Sequence, residues 1–160
     1  MFVWGAISWM AIPWRASSLL AFPNEPEITK SLMGSAPRSG MYLLPNGSSA
    51  AAMEQMTKGP VVFASVRTHP MASMDALMSI ELLIQIAASF LGCLLLRQTR
   101  PMSYGARVLF LSGLALIVGV AGHLENWNWW SFSTGYTAME MADLLIEWTL
   151  AGLAMAKLVR

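Results

Sequence analysis

The chain has 160 residues, of which 56% are hydrophobic and only 12% are charged, and its formal net charge is +1. This composition excludes the strongly basic surface of a nucleic-acid-binding protein. The apolar residues are gathered into blocks, as is typical of a small polytopic membrane protein.

The first apolar block, residues 1–22, predicts a first transmembrane helix that is kinked at Pro13. A signal peptide is the alternative, but the block lacks a basic start and a small-x-small cleavage site. Arg15 lies in the later part of this block. Two roles stay open for it, either snorkelling to the outer headgroups or pairing with acids elsewhere in the membrane.

Residues 23–76 are polar and rich in turn signals, and they predict a small extracytoplasmic α/β cap. We expect helices at 26–33 and 49–58 and strands at 41–44 and 61–66. The helical connection between the two strands permits both parallel and antiparallel pairing.

Residues 77–160 contain the other three apolar blocks. The second predicted transmembrane helix covers residues 77–96, with Glu81 and Gln85 as its polar exceptions. The third covers residues 108–123 and is followed by an aromatic belt in a short outer loop. The belt consists of Trp127, Trp129 and Trp130.

Small residues mark where these helices should pack closely, because packing rather than hydrophobic exclusion drives helix association in lipid. They follow helical spacing along the third block, and Gly92 is their counterpart in the second. The predicted helix-packing residues are Gly92, Ser112, Ala115, Gly119 and Gly122.

The fourth block, residues 136–159, is interrupted by Glu140, Asp143 and Glu147 at steps of three and four, which places them on one helical face. An ionisable group at the bilayer centre costs about 2.5 to 3.5 kcal/mol, so such groups normally face protein or a water-filled cavity. We therefore predict an outward-facing polar vestibule inside the bundle. Its members are Arg15, Glu81, Gln85, His123, Glu140, Asp143 and Glu147.

The positions of the basic residues predict which ends of the helices face the cytoplasm. Arg97, Arg100 and Arg107 lie between the second and third blocks with no acid among them, and Lys157 and Arg160 lie at the end of the fourth. The positive-inside rule places both groups in the cytoplasm. The prediction is a mainly α membrane protein, a four-transmembrane-helix bundle with the cap inserted between helices 1 and 2 and both termini cytoplasmic.

Patterns that carry catalysis are missing from the sequence. Nucleophile elbows, phosphate loops and zinc motifs do not occur, and no Glu-x-x-His pair suggests a di-metal site. We expect no enzyme activity, no cofactor and no metal. The preferred function is an accessory or structural subunit whose partners are other membrane-protein subunits and lipids. The alternative is proton or cation transport, or lipid or metal binding, through the acidic vestibule.

Three segments resemble known proteins. RSGMYLLPN, KGPVVFASVR and NWNWWSFSTGYT are similar to segments of small uncharacterised four-span bacterial inner-membrane proteins. The resemblance implies an inner-membrane location with the cap in the periplasm, and it implies no activity and no functional residue.

Overall fold

The computed structural model describes residues 1–159, so the prediction about Arg160 lies outside the described residues. The fold is mainly helical with one small sheet. Its elements are α1 Phe2–Met10, α2 Trp14–Ser18, α3 Glu25–Ser35, β1 Gly40–Leu44, α4 Ala50–Lys58, β2 Val62–Val66, α5 Met74–Arg97, α6 Tyr104–Val118, α7 Leu124–Trp130 and α8 Thr134–Leu158.

The chain forms two compact units, a smaller one of Ala21–Ala72 and a larger one of Met1–Leu20 with Ser73–Arg160. The smaller unit contains the predicted helix-strand-helix-strand order, with element ends that differ from the prediction by at most two residues. The Asn24 side chain caps α3 by accepting from the backbone N–H of Glu27. These local signals were therefore sufficient to place the elements.

The two strands pair in antiparallel fashion, which settles the alternative that the sequence left open. Gly40 lies opposite Val66 and Leu44 lies opposite Val62. Beyond the strand ends, the backbone N–H of Thr68 donates to Ser39 Oγ at 3.0 Å. The helix α4 thus connects two antiparallel strands, although such a connection is more usual between parallel ones.

Two helices of the larger unit are long and apolar enough to cross a membrane, Met74–Arg97 and Tyr104–Trp130. The second consists of α6, a π-helical turn at Gly119–His123, and α7. The predicted aromatic loop is therefore wrong, because its tryptophans continue the helix. The helix ends only at Ser131, where a left-handed backbone with φ of 57° reverses the chain.

The first apolar block is not one helix. It forms α1 and α2, which are separated where Pro13 begins the second helix. Proline breaks a helix because it cannot donate a backbone hydrogen bond and its ring clashes with the preceding turn. A nine-residue helix such as α1 is about 14 Å long, roughly half of a bilayer's hydrocarbon thickness.

The last helix, α8, has 25 residues and is long enough to span a bilayer. It carries Glu140, Asp143, Glu147 and Lys157, so it is not among the two helices that are apolar enough by composition. The predicted bundle of four spans is thus represented by two candidate spans, one long helix with acids and one broken segment.

The core of the larger unit lies where α5, α6 and α8 meet. Its buried residues are Leu96, Leu111, Ala151 and Met155. Leu111 is fully buried and fills the groove beside Gly152, where an added Cβ would lie 3.4 Å from the Leu111 Cβ. Close approach of α6 and α8 at this glycine therefore holds one end of the unit together.

Candidate functional site

Arg15 on α2 joins two acids of α8. Its Nη1 donates to Glu140 Oε1 at 2.5 Å, and its Nη2 donates to Asp143 Oδ2. The acids are three residues apart, so they lie on the same face of the helix and one guanidinium reaches both. Arg15 is only 9% exposed. The sequence left two roles open for Arg15, and in the structure it is a counter-ion.

Indole rings surround these charges. Trp4 Nε1 donates to Asp143 Oδ1 at 2.6 Å, and the Arg15 guanidinium lies 4.0 Å from the centre of the Trp9 ring. The rings of Trp4 and Trp14 meet edge to face, with centroids 6.3 Å apart. We call Arg15, Glu140, Asp143, Trp4 and Trp9 the Arg15 cluster.

The Arg15 cluster compensates one of its two negative charges. One guanidinium and two carboxylates leave a formal charge of −1, and the Trp4 N–H gives Asp143 a further hydrogen bond. The side chains of Glu140 and Asp143 are 19% and 14% exposed. Breaking a buried ion pair by removing one partner leaves an uncompensated charge, so the cluster fixes α2 against α8.

A second set of polar side chains lies on α5 and α8. Gln85 Nε2 donates to Glu81 Oε1 at 2.8 Å, and the Gln85 side chain lies beside Glu147. Glu147 lies within electrostatic range of the positively charged Met1 amino group and, more weakly, of Asp143 and Glu81, which carry its own sign. No arginine or lysine pairs with Glu147 among residues 1–159. We call Glu81, Gln85 and Glu147 the Glu147 group.

The predicted vestibule residues are therefore divided between the Arg15 cluster and the Glu147 group, with His123 apart from both. His123 is half-buried in the π-helical turn, and within residues 1–159 no hydrogen bond or ion pair joins it to either set. The periodicity of an α-helix could not reveal this, because a π-helical turn changes the direction of every side chain that it contains.

Four of the predicted packing residues lie at helix contacts. Ser112 and Thr149 share a hydrogen bond of 2.8 Å between α6 and α8, and Ala115 is buried. An added Cβ at Gly92 would lie 3.4 Å from Trp148, and one at Gly119 would lie 3.6 Å from Met141.

The fifth packing residue, Gly122, is exposed and has nothing within 4 Å of an added Cβ. It lies in the π-helical turn, where each residue advances less around the axis than in an α-helix. The turn therefore directs Gly122 away from α8. Trp127, Trp129 and Trp130 follow on α7 with exposures of 46%, 73% and 39%.

Sequence reasoning missed the parts that Trp4, Trp9 and Gly152 play. The tryptophans at positions 4, 9 and 14 recur every five residues, but that spacing does not indicate a carboxylate or a guanidinium as partner. Gly152 is a glycine inside a long apolar helix, and such a glycine often marks a close packing contact. The sequence therefore contains a local signal for the contact at Gly152.

Among the described residues, no three His, Cys, Asp or Glu side chains are grouped so that they could hold a metal ion.

Comparison with known proteins gave no relatives, since no family profile, curated protein or solved structure matches this chain.

Proposed function

We propose that this chain is a non-catalytic accessory subunit of a larger bacterial inner-membrane complex. The observation that carries the proposal is the Arg15 cluster, which pairs Glu140 and Asp143 of α8 with an arginine of the same chain and joins α2 to α8. Charges used in this way support a fold, and the apolar outer surfaces of the helices are left to meet lipid and partner subunits.

The exposure of the two candidate spans supports a membrane location. Only 11% and 22% of their most apolar windows are buried inside the chain. A core helix of a soluble protein would be mostly buried, and a signal sequence would lie near the N-terminus. Large side chains such as Leu83, Phe90 and Leu109, which are 58% exposed or more, therefore need an apolar environment outside the chain.

We further propose that α8 is a third span and that α1 and α2 form a fourth, broken element beside it. The ion pairs from Arg15 lower the penalty for placing Glu140 and Asp143 in lipid. The positive-inside rule puts the Arg97 end of α5 in the cytoplasm, and residues 23–76 then form a periplasmic cap. In this topology the C-terminal end of α8 is cytoplasmic.

Purification from the native membrane in a mild detergent, with the mass of the intact particle and identification of co-purifying proteins, tests the subunit proposal. We expect stoichiometric partner proteins. A particle containing only this chain would contradict the proposal.

A photo-crosslinking amino acid at Leu109, which is 74% exposed, should capture a partner in the same membranes. The matched control is the same amino acid at Leu111, which is fully buried two residues further along α6 and should capture none. Equal capture at both positions would indicate non-specific labelling and would remove this support.

Ion passage or ligand binding is the second candidate, and the Glu147 group is the observation that favours it. The Glu147 carboxylate lies beside Gln85 and has no arginine or lysine partner among residues 1–159. A carboxylate in that setting can exchange a proton or hold a cation more readily than one paired with Arg15.

A further inference from the structure

Three arginines line one cavity at the other end of the larger unit. The cavity has a volume of about 520 Å³ and lies beside the connection between α5 and α6. Arg97 contributes from the end of α5, Arg100 from the connection and Arg107 from α6. The remaining lining residues are Leu96, Thr99, Pro101, Met102 and Val159.

Among residues 1–159, no acid forms an ion pair with any of these three arginines. The sequence has no Asp or Glu between positions 82 and 124, and α8 has none after Glu147. Arg107 Nη1 donates to the backbone carbonyl of Val159, whereas its buried Nε has no hydrogen-bond partner among residues 1–159. In the same part of the chain, neither Arg97 nor Arg100 forms an ion pair. The cavity is therefore suited to an anion.

A second cavity adjoins this basic cavity, and we call it the apolar groove because all of its lining residues except Arg97 have apolar side chains. It has a volume of about 490 Å³ and shares Arg97 and Val159 with the basic cavity. Its other lining residues are Phe90, Cys93, Leu94 and Leu158. Phe90 and Leu158 are 61% and 81% exposed, so the groove opens along the outer surface of α5 and α8. An anion that carries a hydrocarbon chain would fit both parts.

We propose that the basic cavity binds the phosphate of an anionic phospholipid and that the apolar groove holds one of its acyl chains. Guanidinium groups bind phosphate oxygens through paired hydrogen bonds, and basic pockets at the cytoplasmic ends of membrane helices bind acidic lipid headgroups. Inorganic phosphate could form the same hydrogen bonds with the arginines, but it has no hydrocarbon chain to occupy the groove. The inference rests on the proposed membrane location and is independent of any partner subunit.

The test is lipid binding to the purified full-length chain in detergent. Native mass spectrometry would measure the affinity for palmitoyl-oleoyl phosphatidylglycerol and, separately, for the zwitterionic phosphatidylcholine with the same acyl chains. We expect tighter binding of phosphatidylglycerol. Each of Arg97→Gln and Arg100→Gln should weaken it about fivefold, and the double variant about 25-fold, given ~1 kcal/mol per basic side chain near an anionic lipid.

The variants are chosen to leave the fold intact. Arg107 is kept because it bonds the Val159 carbonyl, whereas Arg97 and Arg100 are exposed. Arg67→Gln is the matched control, because Arg67 is an exposed arginine of the smaller unit. The control should bind phosphatidylglycerol like the wild type. The thermal unfolding midpoint in detergent without added lipid should be the same for all variants.

Equal affinity for the two lipids would overturn the proposal, and so would a double variant that binds phosphatidylglycerol like the wild type. A third arm adds millimolar inorganic phosphate. If phosphate displaces the lipid completely and stabilises the protein as much as the lipid does, the site belongs to free phosphate and the lipid assignment is wrong. A chain that purifies alone yet binds phosphatidylglycerol through Arg97 and Arg100 would contradict only the subunit proposal.

Discussion

The two ends of the larger unit differ in whether their charged side chains have counter-ions within the described chain. At one end, Glu140 and Asp143 of α8 meet Arg15 from the same chain, within a shell of indole rings. At the other end, Arg97 and Arg100 share a cavity, and neither forms an ion pair within residues 1–159. Charges that are compensated internally stabilise the fold. Charges that are not compensated indicate where another molecule binds.

The largest expected effect is at the compensated end. Arg15→Gln should destabilise the protein by about 3–5 kcal/mol, because it removes a buried guanidinium and leaves the half-buried Glu140 and Asp143 without a counter-ion. The free energy of unfolding in detergent, measured by chemical denaturation, checks this value. Arg38→Gln is the control, since Arg38 is an exposed residue of the smaller unit and its change should be within about 0.5 kcal/mol.

A rescue separates charge from packing at Arg15. Replacing all three charged residues together, with Arg15→Met, Glu140→Gln and Asp143→Asn, should recover most of the lost stability, because no charge of the cluster is then left without a partner. If the single variant Arg15→Gln were as stable as the wild type, the ion pairs would not hold α2 against α8, and the contrast between the two ends would disappear.

A smaller effect is expected at Gly152, near the basic end, where close packing rather than an ion pair joins α6 and α8. Gly152→Leu should cost about 1–3 kcal/mol, since a side chain there would meet Leu111 and the Val108 carbonyl. Thermal unfolding in detergent measures it. Gly122→Leu is the matched control and should be tolerated, because the space beside Gly122 is open. Equal destabilisation by both variants would contradict this packing account.

The smallest effect concerns the neutral hydrogen bond between Ser112 and Thr149. Hydrogen bonds between membrane helices contribute about 0.6 kcal/mol on average and about 1.7 kcal/mol at most. A double-mutant cycle with Ser112→Ala and Thr149→Val should give a coupling energy in that range from unfolding data. A coupling energy larger than the effect of Arg15→Gln would reverse the order proposed here for the forces between the helices.

Local patterns predicted much of the fold. The short helices of the smaller unit end at capping residues, which are Asn24 at the start of α3, Ser49 at the start of α4 and Gly59 at its end. Such caps depend only on neighbouring residues, so local sequence indicates them. The helix α5 followed from a long apolar run with few polar residues. Glu140 and Asp143 of α8 both reach Arg15, as their spacing of three residues on a helix allows.

Features that depend on distant residues were harder to predict. Asp143 accepts a hydrogen bond from Trp4, which lies 139 positions away in the sequence, and no local spacing relates the two residues. The first block has a helix's composition, yet Pro13 divides it into two short helices. The π-helical turn at Gly119–His123 altered the directions of Gly122 and His123, and α-helical periodicity cannot reveal such a turn.

Proton flux into liposomes that contain only this chain tests most directly whether the acids of α8 hold helices together or conduct ions. The structural account predicts flux no greater than in protein-free liposomes, for the wild type and for Glu147→Gln alike. Flux through the wild type that is lost in a folded Glu147→Gln variant would contradict the account and would assign the Glu147 group to ion passage.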